Sequence, residues 1–407
     1  MRWVILLFCK KKWTVLIYAN GNNELEPEIW QSKLDLEKVK DSSNLNIVLQ
    51  IGREARKLVE IIRPYDNIMK TSDIWTGVRR YHFKSEKFVK IKDLGYENMA
   101  DPFSLYNFLE WSINQYPAEK YMLIMGGHVY QFVGALTDYS QNKPYIMGLP
   151  EMSRIFQLVK ERLNVVLDLL ILDVCFFNFI EVLYEFGKYE KSGFKYLLTY
   201  IYDGPLAGLP YDQIINVLKK KVKLNEVQVI KNIVNEIDRE LVAFDINYEK
   251  MKNVKSLFHK LAGKYLNIKD KERPGINKFI NHVIPEKAWY KDVKKLHQEL
   301  QSLIIFKSSN SNRNPINVAQ NLSNDPEKNN LYQKLAFSKK NDWLKILTGE
   351  RNQENSKVIK NKKDIIPTVL SSKAVKANIK AMNPFLNQDN LNQIYKNLIK
   401  YKKWKIF

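Results

Sequence analysis

The sequence predicts an α/β protein in which helices cover both faces of a mostly parallel β-sheet. Apolar runs alternate with amphipathic helical segments over residues 13–215, and this order is typical of strands joined by crossover helices. The run at residues 13–19 is continuous, as a strand buried on both faces of a parallel sheet should be. Residues 216–407 lack this alternation and predict a mainly helical region.

Each strand is predicted from one apolar run that a turn residue closes. The run at residues 121–125, for example, ends at Gly126 and Gly127. A run that alternates apolar and polar side chains, residues 78–83, predicts an edge strand. The predicted strands are, in chain order, residues 13–19, 46–51, 78–83, 121–125, 167–172 and 196–202.

The helices are predicted from apolar side chains that recur at helical spacing. Pro27 marks the start of the first helix, which carries Trp30 and Leu34. The other helices of the first half are predicted at residues 103–113, 150–163 and 179–186. In the second half, lysine-rich helices are predicted at residues 227–244, 254–266, 288–306 and 331–347, with polar linkers at 308–330 and 350–363 and two short helices at the end.

Basic residues are concentrated in the second half. Residues 1–215 hold 26 Lys+Arg and 26 Asp+Glu, so residues 216–407 carry the whole net charge of +21. This asymmetry predicts two parts, 1–215 and 216–407, with different roles. The lysines fit solvated helix faces, weak binding to a polyanion, or self-cleavage sites in the linkers at Arg313, Lys328 and Arg351. The sequence contains no motif for sequence-specific binding to nucleic acid.

Few cysteines and missing motifs exclude several classes of protein. Cys9 and Cys175 alone cannot form a disulfide framework. Because the sequence has no CxxC, HExxH, P-loop, GxGxxG or GxSxG motif, we expect no metal and no cofactor. The apolar run at residues 3–9 is too short to cross a membrane. We interpret it as a tail or edge strand, with a vestigial export signal as the alternative, and expect a cytoplasmic protein without a transmembrane segment.

One histidine and one cysteine stand at the ends of buried strands. His128 follows the strand at residues 121–125, and Cys175 follows the strand at residues 167–172. Ligands of an open parallel sheet bind beyond the carboxyl ends of its strands, so we expect imidazole and thiol in one crevice. Cys175 is also expected to open the next helix, whose dipole would favour the thiolate. The alternatives are a core cysteine and a turn histidine.

At these residues the chain resembles the clostripain family of cysteine peptidases, relatives of caspases and gingipains. The resemblance covers about residues 13–215 and implies a caspase-like three-layer α/β/α sandwich. The motifs that carry it are WTVLIYANGNNELE at residues 13–26, NMADP at 98–102, PAEKY at 117–121, GGH at 126–128, DVC at 173–175 and GLPY at 208–211.

The resemblance implies a cysteine endopeptidase that cleaves after Arg or Lys with a Cys175–His128 dyad. The backbone N–H groups of Val129 and Cys175 would form the oxyanion hole. The family usually has glycine at the position of Val129. If the backbone needs a positive φ there, valine would disfavour that conformation. The resemblance also implies calcium dependence in some members, although the sequence has no EF-hand-type loop.

Asp173 and Asp203 are the candidate substrate-binding residues. The resemblance implies that Asp173 lies at the base of the pocket for the P1 side chain, which precedes the scissile bond, and Asp203 on its facing wall. The alternatives are an N-cap of the next helix for Asp173 and a turn beside Pro205 for Asp203. The alternative function is a catalytically silent caspase-like module whose basic half binds an anionic partner.

Overall fold

The computed structural model describes residues 10–66, 75–190, 192–269, 287–319, 322, 325–348 and 364–404. The predicted tail or edge strand at residues 3–9, the linker at 350–363 and Arg351 lie outside the described residues. The other sequence predictions can be compared with the structure.

Strands and helices alternate through the first half of the chain, as predicted. The strands are β1 Lys11–Gly21, β2 Leu45–Arg53, β3 Gly77–Lys84, β4 Lys87–Gly95, β5 Ala118–Gly126, β6 Gly134–Asp138, β7 Tyr145–Gly148, β8 Leu167–Asp173, β9 Phe194–Tyr200, β10 Leu241–Asp245, β11 Ile304–Lys307 and β12 Thr368–Val369. The helices are α1 Glu26–Leu36, α2 Arg56–Ile62, α3 Pro102–Gln115, α4 Leu149–Leu163, α5 Ile180–Gly187, α6 Tyr211–Lys220, α7 Glu226–Glu236, α8 Tyr248–Leu266, α9 Lys287–Leu303, α10 Pro326–Tyr332, α11 Trp343–Thr348, α12 Ser372–Met382 and α13 Gln388–Lys402.

The main sheet has the strand order β11-β10-β9-β8-β5-β1-β2-β3-β4. Its five central strands, from β9 to β2, are parallel. Antiparallel strands extend it at both edges, β3 and β4 on one side and β10 and β11 on the other. A small separate sheet has the order β12-β7-β6. The predicted α/β class with a mostly parallel sheet is confirmed.

The core lies on both faces of the main sheet. Burial on both faces explains why the central strands are mostly apolar in sequence. Along β1, Val15 and Ile17 pack in the layer that contains the helices α1, α6 and α7. The alternate residues Leu16 and Tyr18 pack in the layer that contains α3, α4, α5 and α8. Both sets are fully buried, so neither face of the strand needs polar side chains.

The edge of the sheet differs from the prediction. The strand expected at the edge is β3, but β4 pairs with it on the outside. Ser85 and Glu86 form the turn between them with φ values of 53° and 60°. Such positive φ values favour glycine or asparagine, so these two residues gave no sign of the hairpin.

Three predicted helices of the second half are wrong in part. The segment at 227–244 divides into α7 and the strand β10, and the segment at 288–306 becomes α9 followed by β11. The segment at 331–347 contains turns between α10 and α11. β10 and β11 belong to the main sheet, and burial within it overrides helical periodicity in these short apolar runs. The boundary predicted after residue 215 stays a prediction, and the sheet continues across it.

The last helices return to the first half of the chain. β12 pairs with β7, and the Trp404 Nε1–H donates a hydrogen bond of 2.9 Å to the Gln141 carbonyl oxygen. Asn383 Nδ2 donates to the Ile62 carbonyl oxygen at 2.8 Å. Because Asn383 directly follows α12, its bond holds the end of this helix against α2. Among the described residues, every helix is too short or too polar to cross a bilayer.

Candidate active site

The two strands that precede His128 and Cys175 are parallel neighbours. In the register of β5 and β8, Gly126 lies opposite Asp173. The two strands therefore end at the same level of the sheet. His128 and Cys175 follow these ends, and both line a single cavity of about 330 Å³. The structure thus brings together the imidazole and thiol that the sequence placed in one crevice.

Cys175 lies in a turn, and the predicted helix start at this residue is wrong. The helix α5 begins at Ile180, with Phe179 as its N-cap, so the helix dipole does not act directly on the thiol. The next residue, Phe176, has a positive φ of 47°. Its N–H donates to the Tyr202 carbonyl oxygen at 3.0 Å. This contact fixes the Cys175 turn against the loop that follows β9.

The surroundings of the Cys175 sulfur favour the neutral thiol. The Gly204 N–H donates to Sγ over 3.4 Å, and the Gly204 carbonyl oxygen lies 3.9 Å from Sγ. Burial, followed by the hydrogen bond and negative charge of Asp203, raises the pKa of Cys175 to about 12. The expectation of a thiolate stabilised by its surroundings is therefore wrong for this arrangement, and a base is needed to activate the sulfur.

His128 contacts a carboxylate that the sequence did not single out. Its Nε2 lies 3.1 Å from Glu24 Oε1, and the Glu24 side chain is 0% exposed. Glu24 lies between β1 and α1, beyond the carboxyl end of a central strand. The rule that found His128 and Cys175 therefore applies to it too, but several polar residues share that turn.

The backbone at Val129 is compatible with an oxyanion hole. Val129 is not among the residues with positive φ, so glycine is not required there. The flanking residues pair with a neighbouring strand, since the Tyr130 N–H donates to Gly134 O at 3.0 Å and the Leu136 N–H to His128 O at 2.6 Å. The N–H groups of Val129 and Cys175 donate to no acceptor among the described residues.

Asp173 is a buried carboxylate held by three donors. It accepts hydrogen bonds from the hydroxyls of Tyr200 and Tyr211 at 2.8 and 2.7 Å and from the Leu209 N–H at 3.0 Å. Burial raises the pKa of Asp173, and the hydrogen bonds from Tyr211 and Tyr200 oppose this rise. The alternative that Asp173 caps the next helix is wrong, because its acceptor sites face the loop at residues 200–211.

Two glycines allow this packing around Asp173. Gly208 has a φ of 70°, and a Cβ atom there would lie 2.6 Å from Asp173 Oδ2. A Cβ atom at Gly126 would lie 2.3 Å from the Tyr211 hydroxyl oxygen. Both contacts are too short for a side chain larger than glycine, so the two glycines let Asp173 and Tyr211 approach each other.

Asp203 and Glu28 are the other carboxylates of the cavity lining. Arg63 binds Glu28 through both of its terminal nitrogens, each at 2.9 Å. Asp203 is exposed and pairs with no cation among the described residues. It lies just before a turn in which the Gly208 N–H donates to the Pro205 carbonyl oxygen at 2.8 Å. The unpaired charge of the cavity is therefore negative and lies beside Cys175.

The remaining wall of the cavity comes from the end of the chain. Asn378, Ala381 and Met382 of α12 line it opposite the strand ends. Asn378 Nδ2 donates to the Tyr139 hydroxyl oxygen at 3.1 Å, which fixes the helix there. Nothing in the sequence indicated this long-range contribution. In the described ranges, no three or more His, Cys, Asp or Glu side chains are grouped so that they could hold a metal ion.

A three-layer α/β/α fold with a cysteine and a histidine at the ends of neighbouring parallel strands is the arrangement of caspase-like cysteine peptidases. The clostripain family matches residues 18–403, and the chain belongs to this family. The resemblance found in the sequence is thereby confirmed.

The chain is similar to one curated relative and to several solved structures. It is 26% identical to clostripain of Hathewaya histolytica over 238 residues, which are 51% of this chain and 42% of that protein. The match thus spans less than half of the length of that relative. A secreted C11 cysteine protease of Bacteroides thetaiotaomicron, solved with an irreversible peptide inhibitor, superposes with a TM-score of 0.58 at 13% identity, covering 81% of this chain and 99% of its own.

A second solved structure supports the same fold. An inactive zymogen C11 protease of Parabacteroides distasonis superposes with a TM-score of 0.54 at 15% identity, covering 83% of this chain and 98% of its own. Since both identities are low, these neighbours support the caspase-like fold and do not assign individual residues.

Proposed function

We propose that the chain is a cysteine endopeptidase in which Cys175 is the nucleophile and His128 the general acid and base. The observation that carries the proposal is the shared cavity, in which both side chains follow neighbouring strands of the sheet. Membership of the clostripain family supports it. The raised pKa of Cys175 makes a base necessary, and His128 is the imidazole that lines this cavity.

The proposed reaction proceeds through an acyl-enzyme. The Cys175 sulfur attacks the carbonyl carbon of the scissile bond while His128 takes the thiol proton. The N–H groups of Val129 and Cys175 donate to the oxyanion of the tetrahedral intermediate. The C–N bond then breaks as His128 gives its proton to the leaving amine, and a water molecule, deprotonated by His128, hydrolyses the thioester.

We propose that the enzyme prefers arginine, or lysine, as the P1 residue. Asp203 supports this preference because it lines the cavity, is exposed, and has no ion-pair partner among the described residues. Asp173 adds a buried carboxylate to the cavity lining, although its oxygens already accept three hydrogen bonds. An arginine side chain suits Asp203 because its planar fork can bind one carboxylate with two hydrogen bonds.

The main support for the alternative, a catalytically silent module, was the missing glycine after His128. Val129 does not have a positive φ, so glycine is not needed there and this support is lost. Weak binding of polyanions by residues 216–407, and calcium dependence, stay predictions. Salt-dependent affinity for unrelated nucleic acids would test the first. The effect of a chelator on activity would test the second.

A thiol-directed peptidyl-arginine reagent tests the proposed function. We expect the reagent to label the wild type and Cys9→Ala, which keeps Cys175 as the remaining cysteine. Cys175→Ala should be unlabelled and inactive on an arginine-containing peptide, with an unchanged circular dichroism spectrum. Peptidase activity in the purified Cys175→Ala variant would show that another group is the nucleophile.

A further inference from the structure

Glu24 is a fully buried carboxylate whose surroundings supply almost no compensation for its charge. Its side chain is 0% exposed. Neither of its carboxylate oxygens accepts a well-aligned hydrogen bond within the described part of the chain. Among the described residues, the ionisable nitrogen that pairs with the Glu24 carboxylate is His128 Nε2, 3.1 Å from Oε1. The distance is that of an ion pair, while the Nε2–H is not well aligned with the carboxylate.

A buried carboxylate without partners is costly, so it must be paired or protonated. In contact with His128, Glu24 can keep its charge only if the imidazole supplies a proton at Nε2. The pair therefore favours a histidine that carries hydrogen at Nε2, both when it is neutral and when it is an imidazolium ion. The nitrogen that remains for proton exchange in the cavity is then Nδ1.

The position of Glu24 is fixed by the turn that carries it. Its carbonyl oxygen accepts a hydrogen bond from Arg63 Nη1 at 2.9 Å. The preceding residue, Asn23, donates to the Thr137 carbonyl oxygen at 2.8 Å and accepts from the Leu25 N–H at 2.9 Å. Because the backbone on both sides is held, Glu24 can restrain the His128 ring rather than follow it.

We propose that Glu24 is the positioning residue of His128. It holds the imidazole ring with Nδ1 toward the cavity and stabilises the imidazolium ion that forms when His128 takes the Cys175 proton. This inference rests on the proposed function, because it assigns Glu24 a role in the same dyad. It adds a third side chain to the site. Glu24 follows β1, and in the sheet β1 lies between β2 and β5, the strand that precedes His128.

Other ionisable groups also face this pair. Tyr139, whose hydroxyl binds Asn378 of α12, interacts electrostatically with Glu24. Cys175, Asp173 and Asp203 line the same cavity as His128. Any change at the His128 ring in a Glu24 variant must therefore be measured against a variant that removes a different buried carboxylate and leaves these groups unchanged.

Nitrogen NMR of the His128 ring tests the proposal without relying on activity, because it shows which ring nitrogen carries hydrogen. The ring signals are assigned by their loss in His128→Asn. In the wild type we expect the hydrogen of the neutral ring on Nε2, and Glu24→Gln, which removes the carboxylate that faces Nε2, should lower the share of this tautomer. The matched control is Glu181→Gln, which alters another side chain of 0% exposure and should leave the His128 tautomer unchanged.

Kinetics provide the second measurement. In Glu24→Gln we expect kcat to fall by about a hundredfold, within the range that general acid–base catalysis contributes, with little change in KM. Glu24→Asp keeps the charge and should recover part of both the Nε2–H tautomer of His128 and kcat. It also replaces Glu24→Gln as the test if the amide variant fails to fold.

The outcomes separate this inference from the proposed function. An unchanged His128 tautomer in folded Glu24→Gln overturns the role of Glu24, even if the wild type is an active peptidase. A loss of the Nε2–H tautomer in Glu24→Gln, together with a wild type without peptidase activity, supports the pairing and counts against the proposed function. A fall in kcat that Glu24→Asp does not recover at all, with the His128 tautomer unchanged in both variants, also overturns the inference.

Discussion

The Tyr211 hydroxyl donates a hydrogen bond of 2.7 Å to Oδ2 of Asp173, a residue of the cavity lining. Tyr211 begins α6, and Asp173 ends β8, so the bond joins the sheet to the first residue of this helix. Asp173 therefore has a structural role whether or not it contacts substrate. Asp203 instead lies beside the Cys175 thiol and pairs with no cation among the described residues, so the two aspartates can be distinguished by experiment.

Asp203→Asn should weaken the preference for basic P1 residues without destabilising the protein. Because a charge-assisted hydrogen bond is worth about 1.5–3 kcal/mol, kcat/KM for arginine substrates should fall by about ten- to a hundredfold. A peptide with glutamine at P1 should be affected much less. Matched Arg, Lys and Gln substrates provide the measurement, and an equal loss on all three would contradict the assignment.

Asp173→Asn should lower both activity and stability. The amide cannot accept all three hydrogen bonds that the carboxylate accepts, so a buried donor loses its partner at a cost of about 1–3 kcal/mol. Urea denaturation of the two aspartate variants checks this difference. If Asp173→Asn were as stable as the wild type and changed only the P1 preference, the structural role of the carboxylate would be wrong.

The Cys175 thiol should react slowly with alkylating reagents at neutral pH. Its pKa is about 12, through burial and then the hydrogen bond and charge of Asp203. Since the thiolate is the nucleophile, the rate should rise with pH from 7 to 10 without reaching a plateau. Asp203→Asn removes a charge that raises this pKa, so it should react faster at any given pH in that range.

Iodoacetamide modification of Cys9→Ala measures this rate at Cys175 alone. Adding Asp203→Asn to that background gives the comparison, and Glu60→Gln, an exposed carboxylate paired with Arg56, is the control with the same loss of charge. A plateau below pH 8 in the Cys9→Ala protein would contradict the raised pKa. It would indicate a thiolate stabilised by His128 instead.

The central strands could be predicted because their burial on both faces leaves a signal in local sequence. The apolar runs of β5 and β8 mark these two strands, and their ends placed His128 and Cys175 correctly beside one cavity. Strand ends meet at one edge of a parallel sheet whatever the details of the loops. Predicting this part of the site therefore required only the order of the strands.

The local geometry of the site could not be predicted in the same way. Cys175 was expected to open the next helix, but Phe176 has a positive φ and α5 begins only at Ile180, and no glycine or proline marks this turn. Glu24 stands among polar residues of one turn, where sequence does not show which side chain points inward. The contribution of α12 depends on packing between distant parts of the chain, which local patterns do not encode.

Val129→Gly should change activity by no more than a few-fold. Val129 does not have positive φ, so glycine would gain no backbone conformation that valine lacks, and the N–H group is present in both. Added backbone entropy in the unfolded chain should cost about 0.5–1 kcal/mol. Peptidase assays of Val129→Gly and the control Val129→Ala measure this, and a large gain specific to glycine would show that valine impairs the oxyanion hole.

Glu181 should make the protein less stable as the pH rises from about 4.5 to about 7. It accepts hydrogen bonds from the Tyr332 hydroxyl at 2.9 Å and the Ala319 N–H at 3.2 Å, but burial still raises its pKa from 4.5 to about 7. The unfolded chain therefore releases this proton at lower pH than the folded one, and the free energy of unfolding falls across that interval.

Glu181→Gln keeps an acceptor oxygen and has no charge to bury, so at pH 8 it should exceed the wild type in stability by on the order of 2 kcal/mol. Urea denaturation at pH 4.5 and pH 8 measures the difference, with Glu60→Gln expected to match the wild type at both. A Glu181→Gln variant that is less stable than the wild type at pH 8 would mean that Glu181 is ionised and well solvated or paired in the folded protein.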